Sequence, residues 1–148
     1  MHPLLRPRGI RNNNPGNLRL TAQRWLGQKA EQSDRNFMEF DSPLMGLRAL
    51  MKVLLTYQRK YGLDTVESLI NRFAPPAENA TDNYIYAVAK RLGVKRRDTL
   101  RLDNAVLLQN LAKAIIRQEN GGERPWYPDD LYAAAAALAL HPSTGEQS

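Results

Sequence analysis

Glu119 stands where a carboxyl group is hard to keep ionised. It falls four residues after Ile115, seven after Ala112 and eight after Leu111, so it continues an apolar helical stripe instead of a polar face. It also lies in the last turn, where the helix dipole presents negative partial charge. Desolvation and the dipole both raise a carboxyl pKa. A carboxylic acid kept protonated near neutral pH can donate a proton to a glycosidic oxygen. Gly121 and Gly122 follow at once and let the chain turn away, leaving the acid facing a cleft. Spacing alone leaves a plainer alternative open, an end-of-helix carboxylate paired with Arg117 or Arg124, since structural ion pairs outnumber catalytic acids.

A second carboxylate, as base or charge stabiliser, could be Glu39, placed near Phe37 and Phe40 on a short stretch that could be a strand. A solvent-exposed strand residue is the alternative. Asp41 reads better as a cap for the next helix, and Glu78 and Asp82 are ambiguous. Asn12, Asn13, Asn14 and Asn17 could offer amides to N-acetyl groups and sugar hydroxyls, or could simply bond their own backbone in a turn. Tyr84 shares a helix face with Val88, so core packing competes with any binding role, and Tyr86 must face elsewhere. Trp25 and Trp126 could stack on sugar rings or anchor loops. Lys90, Arg91, Lys95, Arg96, Arg97 and Arg101 form the densest basic segment, ordinarily a solvated face, though able to meet carboxylates or phosphates.

The elements that must position these groups are mostly helical. Residues 8–19, rich in Asn with Pro15 and Gly16, favour turns and left-handed backbone, and 18–20 and 37–40 could be short strands. Ser42 can cap a helix with Pro43 at its first position. Leu44, Leu47, Leu50, Met51, Leu54 and Leu55 then recur at helical spacing, and Gly62 is a natural stop. Residues 64–67 read as a capping-box variant opening a helix through Phe73, ended by Pro75 and Pro76. The spacing predicts a third helix over 80–92, closed by Gly93. Asp103 is expected to cap a fourth, with Val106, Leu108, Leu111, Ala112, Ile115 and Ile116 as its stripe. An alanine-rich helix over 129–140 comes last, followed by a frayed tail, 141–148. The expectation is one mainly α domain, residues 1–148, with a small irregular β-hairpin lobe at the amino terminus.

Composition narrows the chemistry. The 148 residues suffice for one domain with a real core. Lys and Arg number 21 against 15 Asp and Glu, a formal charge of +6 with a pI near 9.8, which favours acidic polymers. There is no cysteine, and the histidines are His2 and His141. Thiolate chemistry, histidine metal sites and a Ser-His-Asp triad are therefore not expected, and neither a metal nor a cofactor is called for. The amino-terminal residues carry no apolar run of signal-peptide length, and residues 131–140 reach about half of the roughly 20 residues a bilayer span needs.

Three segments carry a family resemblance. Residues 111–121, Leu-Ala-Lys-Ala-Ile-Ile-Arg-Gln-Glu-Asn-Gly, look like the catalytic helix of lytic transglycosylases and the Glu-Ser-Gly helix end of flagellar-type N-acetylglucosaminidases. Residues 14–19 with 37–43 and 46–50 resemble the Asn-rich turn and aromatic strand that follow the acid in those enzymes. Residues 80–84, Ala-Thr-Asp-Asn-Tyr, resemble a stretch whose tyrosine lines the sugar cleft. Here the acid helix comes last, so the chain resembles a circularly permuted member of the lysozyme-like superfamily. It is also similar to phage proteins described as virion structural or peptidoglycan-degrading.

The resemblance implies a muramidase or lytic transglycosylase acting on the β-1,4 bond between N-acetylmuramic acid and N-acetylglucosamine. Glu119 would be the general acid, Glu39 a second carboxylate, and Asn14, Asn17, Tyr84 and Asn120 substrate contacts beside a pocket roofed by the Asn turn. Asn120 stands in place of the family's usual serine. The implied partner is bacterial peptidoglycan, for a monomer carried in a phage virion or held in the host cytoplasm before release to the wall. The other readings are a non-catalytic virion structural protein of the same shape and a basic DNA-binding protein. No nucleic-acid motif is present, which argues against the last.

Overall fold

The computed structural model describes residues 6–141, so His2 and most of the expected tail, 142–148, lie outside the described residues. Six helices follow in order: α1 Arg8–Arg11, α2 Pro43–Tyr61, α3 Val66–Phe73, α4 Thr81–Leu92, α5 Ala105–Asn120 and α6 Asp129–Leu140. The protein is mainly α. No helix among the described residues is long and apolar enough to cross a membrane.

The helix ends follow local chemistry. The Ser42 hydroxyl accepts from the Met45 N–H, with Pro43 at the first position, and Gly62 closes α2 in the left-handed region at φ 68°. In α3 the Thr65 hydroxyl caps the Ser68 N–H while Ser68 reaches back to Thr65, a reciprocal box. Asn104, not Asp103, caps α5, by accepting from the Leu107 N–H. Both residue types can cap. Val106 lies about 200° around the helix from Leu108 and is 65% exposed, so the buried stripe begins at Leu108 and runs through Leu111, Ile115 and Ile116. Each of those side chains contributes about 1.5–3 kcal/mol by leaving water.

One core joins every part of the chain. Helix α2 lies at its centre, with α6, α5 and α3 against it, and α4 packs between α3 and α5. Leu18, Met38 and Phe40 of the amino-terminal segment belong to the same core. That segment is not a hairpin of strands. Residues 18–20 and 37–40 meet in one isolated antiparallel bridge, Arg19 with Phe37, and a second isolated bridge joins Gln28 to Phe40.

Candidate functional site

Side chains, more than a ladder, organise the amino-terminal segment. Asn14 is fully buried, and its amide donates to the Leu18 and Met38 carbonyls at 3.0 and 2.9 Å while its carbonyl accepts from the Leu18 N–H. Asn13 and Asn17 take left-handed φ values of 53° and 50°, which Asn tolerates better than most residues. Asn13 also donates to the Phe40 carbonyl. Glu39 is buried beneath the following loop. One of its carboxylate oxygens accepts from the Ser33 N–H and hydroxyl, the Asp34 N–H and the Gln32 amide, at 2.6 to 3.3 Å.

Two expectations are corrected here. Asn14 is fully buried, with both amide protons spent within the turn, so it is not presented to a ligand. Glu39 does not reach the cleft that Glu119 faces; it holds residues 32–34 in place. Burial works to raise its pKa, but the donors from Asp34 and Ser33 outweigh it, so its carboxyl lies below the usual 4.5. A third correction concerns Asn120, the last residue of α5. It is buried, and its NH2 group is spent on the Pro15 and Ile116 carbonyls at 2.8 and 2.9 Å, while its oxygen is buried against Gly9 without a hydrogen-bond partner among the described residues. It fastens the helix end to the Asn turn.

That fastening brings Glu119 to Asn17 across 102 residues of sequence. The Asn17 amide donates to one Glu119 oxygen at 3.0 Å, and the Tyr84 hydroxyl donates to the other at 2.9 Å. Gly9 makes room for this. A Cβ there would stand 2.6 Å from the Asn17 amide oxygen and 2.8 Å from that of Asn120. Glu119's partners are thus neutral donors, not Arg117 or Arg124. Burial raises its pKa above the usual 4.5, and the two donors offset only part of that rise. The Tyr84 hydroxyl is itself pushed well up by burial and by the adjacent carboxyl, so it remains a donor throughout the neutral range.

A cleft of about 490 Å³ opens in front of Glu119. Its walls come from the Asn turn at Gly16 and Asn17, from Trp25 and Phe37, from Tyr57 of α2, from Arg72 and Phe73 of α3, and from the loop carrying Glu78. Of the sequence candidates, Glu119 and Asn17 line the cleft, Tyr84 stands behind the acid, and Trp25 contributes an aromatic wall. Trp126 lies elsewhere, in a hollow formed with Arg124, Pro125, Tyr127 and Pro128. Tyr57, Arg72 and Phe73 carried no signal in the sequence, because only the packing of α2 against α3 turns them toward the acid.

In the basic segment that runs from the end of α4, three of the six residues are paired. Arg91 binds Glu123 at 2.7 Å, Arg96 binds Glu67 and Asp82 at 2.6 and 2.9 Å, and Arg97 binds Glu67 at 3.1 Å. These pairs are mostly exposed and individually worth little, but they neutralise part of the charge that a polyphosphate would need.

The helical frame and this cleft define a protein that holds a buried carboxyl, its pKa raised by burial, at the mouth of an aromatic groove. No family model matches the sequence. A curated relative, Protein P5 of Pseudoalteromonas phage PM2, is 39% identical over 127 residues, spanning 84% of this chain and 77% of its own length. The chain belongs to the phage protein family that includes Protein P5.

Proposed function

We propose that the protein cleaves the glycan strands of bacterial peptidoglycan at a β-1,4 bond between amino sugars, with Glu119 as general acid. The observation that carries this reading is the neutral cradle around Glu119. Burial favours its protonated form, and no cation opposes that. Protonated, it donates to the leaving oxygen. Deprotonated, it is received by Asn17 and Tyr84, which stabilise the charge formed in the step. Both therefore act as positioning residues.

With Glu39 held in its own loop, the glutamate can serve as base in the second half of the reaction, taking a proton from the sugar's 6-hydroxyl as an anhydro ring closes. Assistance by the substrate N-acetyl group is the other route open to a single carboxyl. The same reading takes the fold as a circularly permuted lysozyme-like domain, which the meeting of the late acid helix with the early Asn turn supports. Kinship with a phage protein agrees with it, since a phage crosses the cell wall on entry and on release. It takes the protein as a monomer, carried in the virion or released from the host cytoplasm.

Mass spectrometry of purified sacculi digested by the protein tests this. Expected are disaccharide products, anhydro or hydrated according to the route, which disappear with Glu119→Gln while the far-UV spectrum is unchanged. Intact sacculi after wild-type treatment would overturn the reading and leave a structural role in the virion.

A further inference from the structure

The walls of the cleft carry four arginine and glutamate side chains: Arg19, Arg72, Glu78 and Glu119. Arg19 and Glu78 neutralise one another across 3.5 Å at the rim, where both side chains are more than half exposed. Glu119 is held by neutral donors in a setting that favours its uncharged form. Arg72 is left over. Among the described residues no carboxylate lies within 4.0 Å of its guanidinium.

Arg72 is nonetheless held in place. Its guanidinium lies 3.9 Å from the Tyr61 ring centre and 5.2 Å from that of Tyr57. A guanidinium stacked on a ring keeps its in-plane N–H fork for a planar acid, and one already ordered loses less freedom on binding. The neighbouring walls, Trp25 and Phe73, add apolar surface, and at Phe37 the ring is already met by Arg8 and Arg19, which bind Asp34 and Glu78. The cleft is therefore built for a ligand with apolar faces and one unmatched negative group.

We propose that Arg72 is a specificity-determining residue that recognises a carboxylate on the glycan, so that the cleft selects an acidic amino-sugar polymer over a neutral one. This rests on the glycan-cleaving reading above. Binding separates the two when measured on the Glu119→Gln protein, where no turnover intervenes. Two oligosaccharides of equal length serve as probes: alternating N-acetylglucosamine and N-acetylmuramic acid, and N-acetylglucosamine alone.

The acidic oligomer should bind about tenfold more tightly, the scale of one charge-assisted fork, with affinity that falls as salt is added. Adding Arg72→Gln should remove that advantage and leave the neutral oligomer's affinity unchanged, while Arg72→Lys should restore part of it. If Arg72→Gln leaves the preference intact, or weakens both oligomers alike, Arg72 is not the selector although the cleft still binds glycan. If neither oligomer binds the Glu119→Gln protein, the glycan reading itself fails, and this assignment with it.

Discussion

Burial pulls on Glu39 and Glu119 in the same direction, and the donors around each decide the outcome. Glu39 receives four donors on one oxygen and stays ionised below the usual range. Glu119 receives one on each oxygen and is driven up. The two shifts leave opposite marks on stability. A carboxyl whose folded pKa is raised contributes fully below its unfolded value and loses that contribution as pH rises through the folded value. Glu119→Gln should therefore match wild type in acid and become the more stable protein as pH rises above 4.5 and through the raised folded value. A gain on the order of 1 kcal/mol corresponds to about 2–4 °C in a chain of this size. Glu39 behaves in reverse, since its contribution is present above its unfolded value and is lost as pH falls through the lowered one. Glu39→Gln should cost about 1–3 kcal/mol at neutral pH, with the gap closing below pH 4.5. Thermal melts of both variants across pH check the pair, and a Glu119→Gln protein less stable than wild type at pH 8 would refute the raised pKa.

At the scale of elements, the site depends on how closely helices approach the Asn turn. Gly46, in the first turns of α2, is buried against the Asn13 carbonyl, where any Cβ would meet the oxygen directly. The backbone of neither element can yield, because Asn13 is itself fixed to the Phe40 carbonyl. Gly46→Ala should cost about 3 kcal/mol or more, the upper end for overpacking, and chemical denaturation measures it; a loss under 1 kcal/mol would mean that the turn is not clamped. Much of this element layer was legible beforehand. Ser42-Pro43, Gly62 and Gly93 mark ends by their own chemistry, and period-3.6 leucines outline α2 and α5. The amino-terminal segment was not legible in the same way. Residues 18–20 and 37–40 look like strands from composition, but their backbone pairing stops after a few bonds, such as Leu20 N–H to the Asn36 carbonyl and Met38 N–H to that of Leu18, and the Asn14 and Glu39 side chains hold much of the rest. Pairing that short, supplemented by side chains, leaves little periodicity to find. Glu119 announced itself by breaking an apolar stripe with a charge, whereas Arg72 and Tyr57 enter the cleft through contacts between helices that no local pattern encodes.

Over the whole molecule, the site belongs to no single element. Glu119 takes one donor from 102 residues away and another from 35, and Leu18, Met38 and Phe40 tie the loop-rich segment into the helical core. A segment with only isolated bridges would open early if its own hydrogen bonds were all that held it. Here its apolar anchors lie under the same cover as α2 and α5, so its release exposes the shared core. The cleft and the helices should then unfold together. Trp25 reports on the cleft wall and Trp126 lies apart from it, so a Trp126→Phe protein makes fluorescence a local probe. Its urea midpoint is expected to coincide with the far-UV circular dichroism midpoint, which follows the helices. A fluorescence transition at clearly lower urea would mean that the Asn turn detaches while the helices stand, and that Glu119 owes its burial to an independent flap.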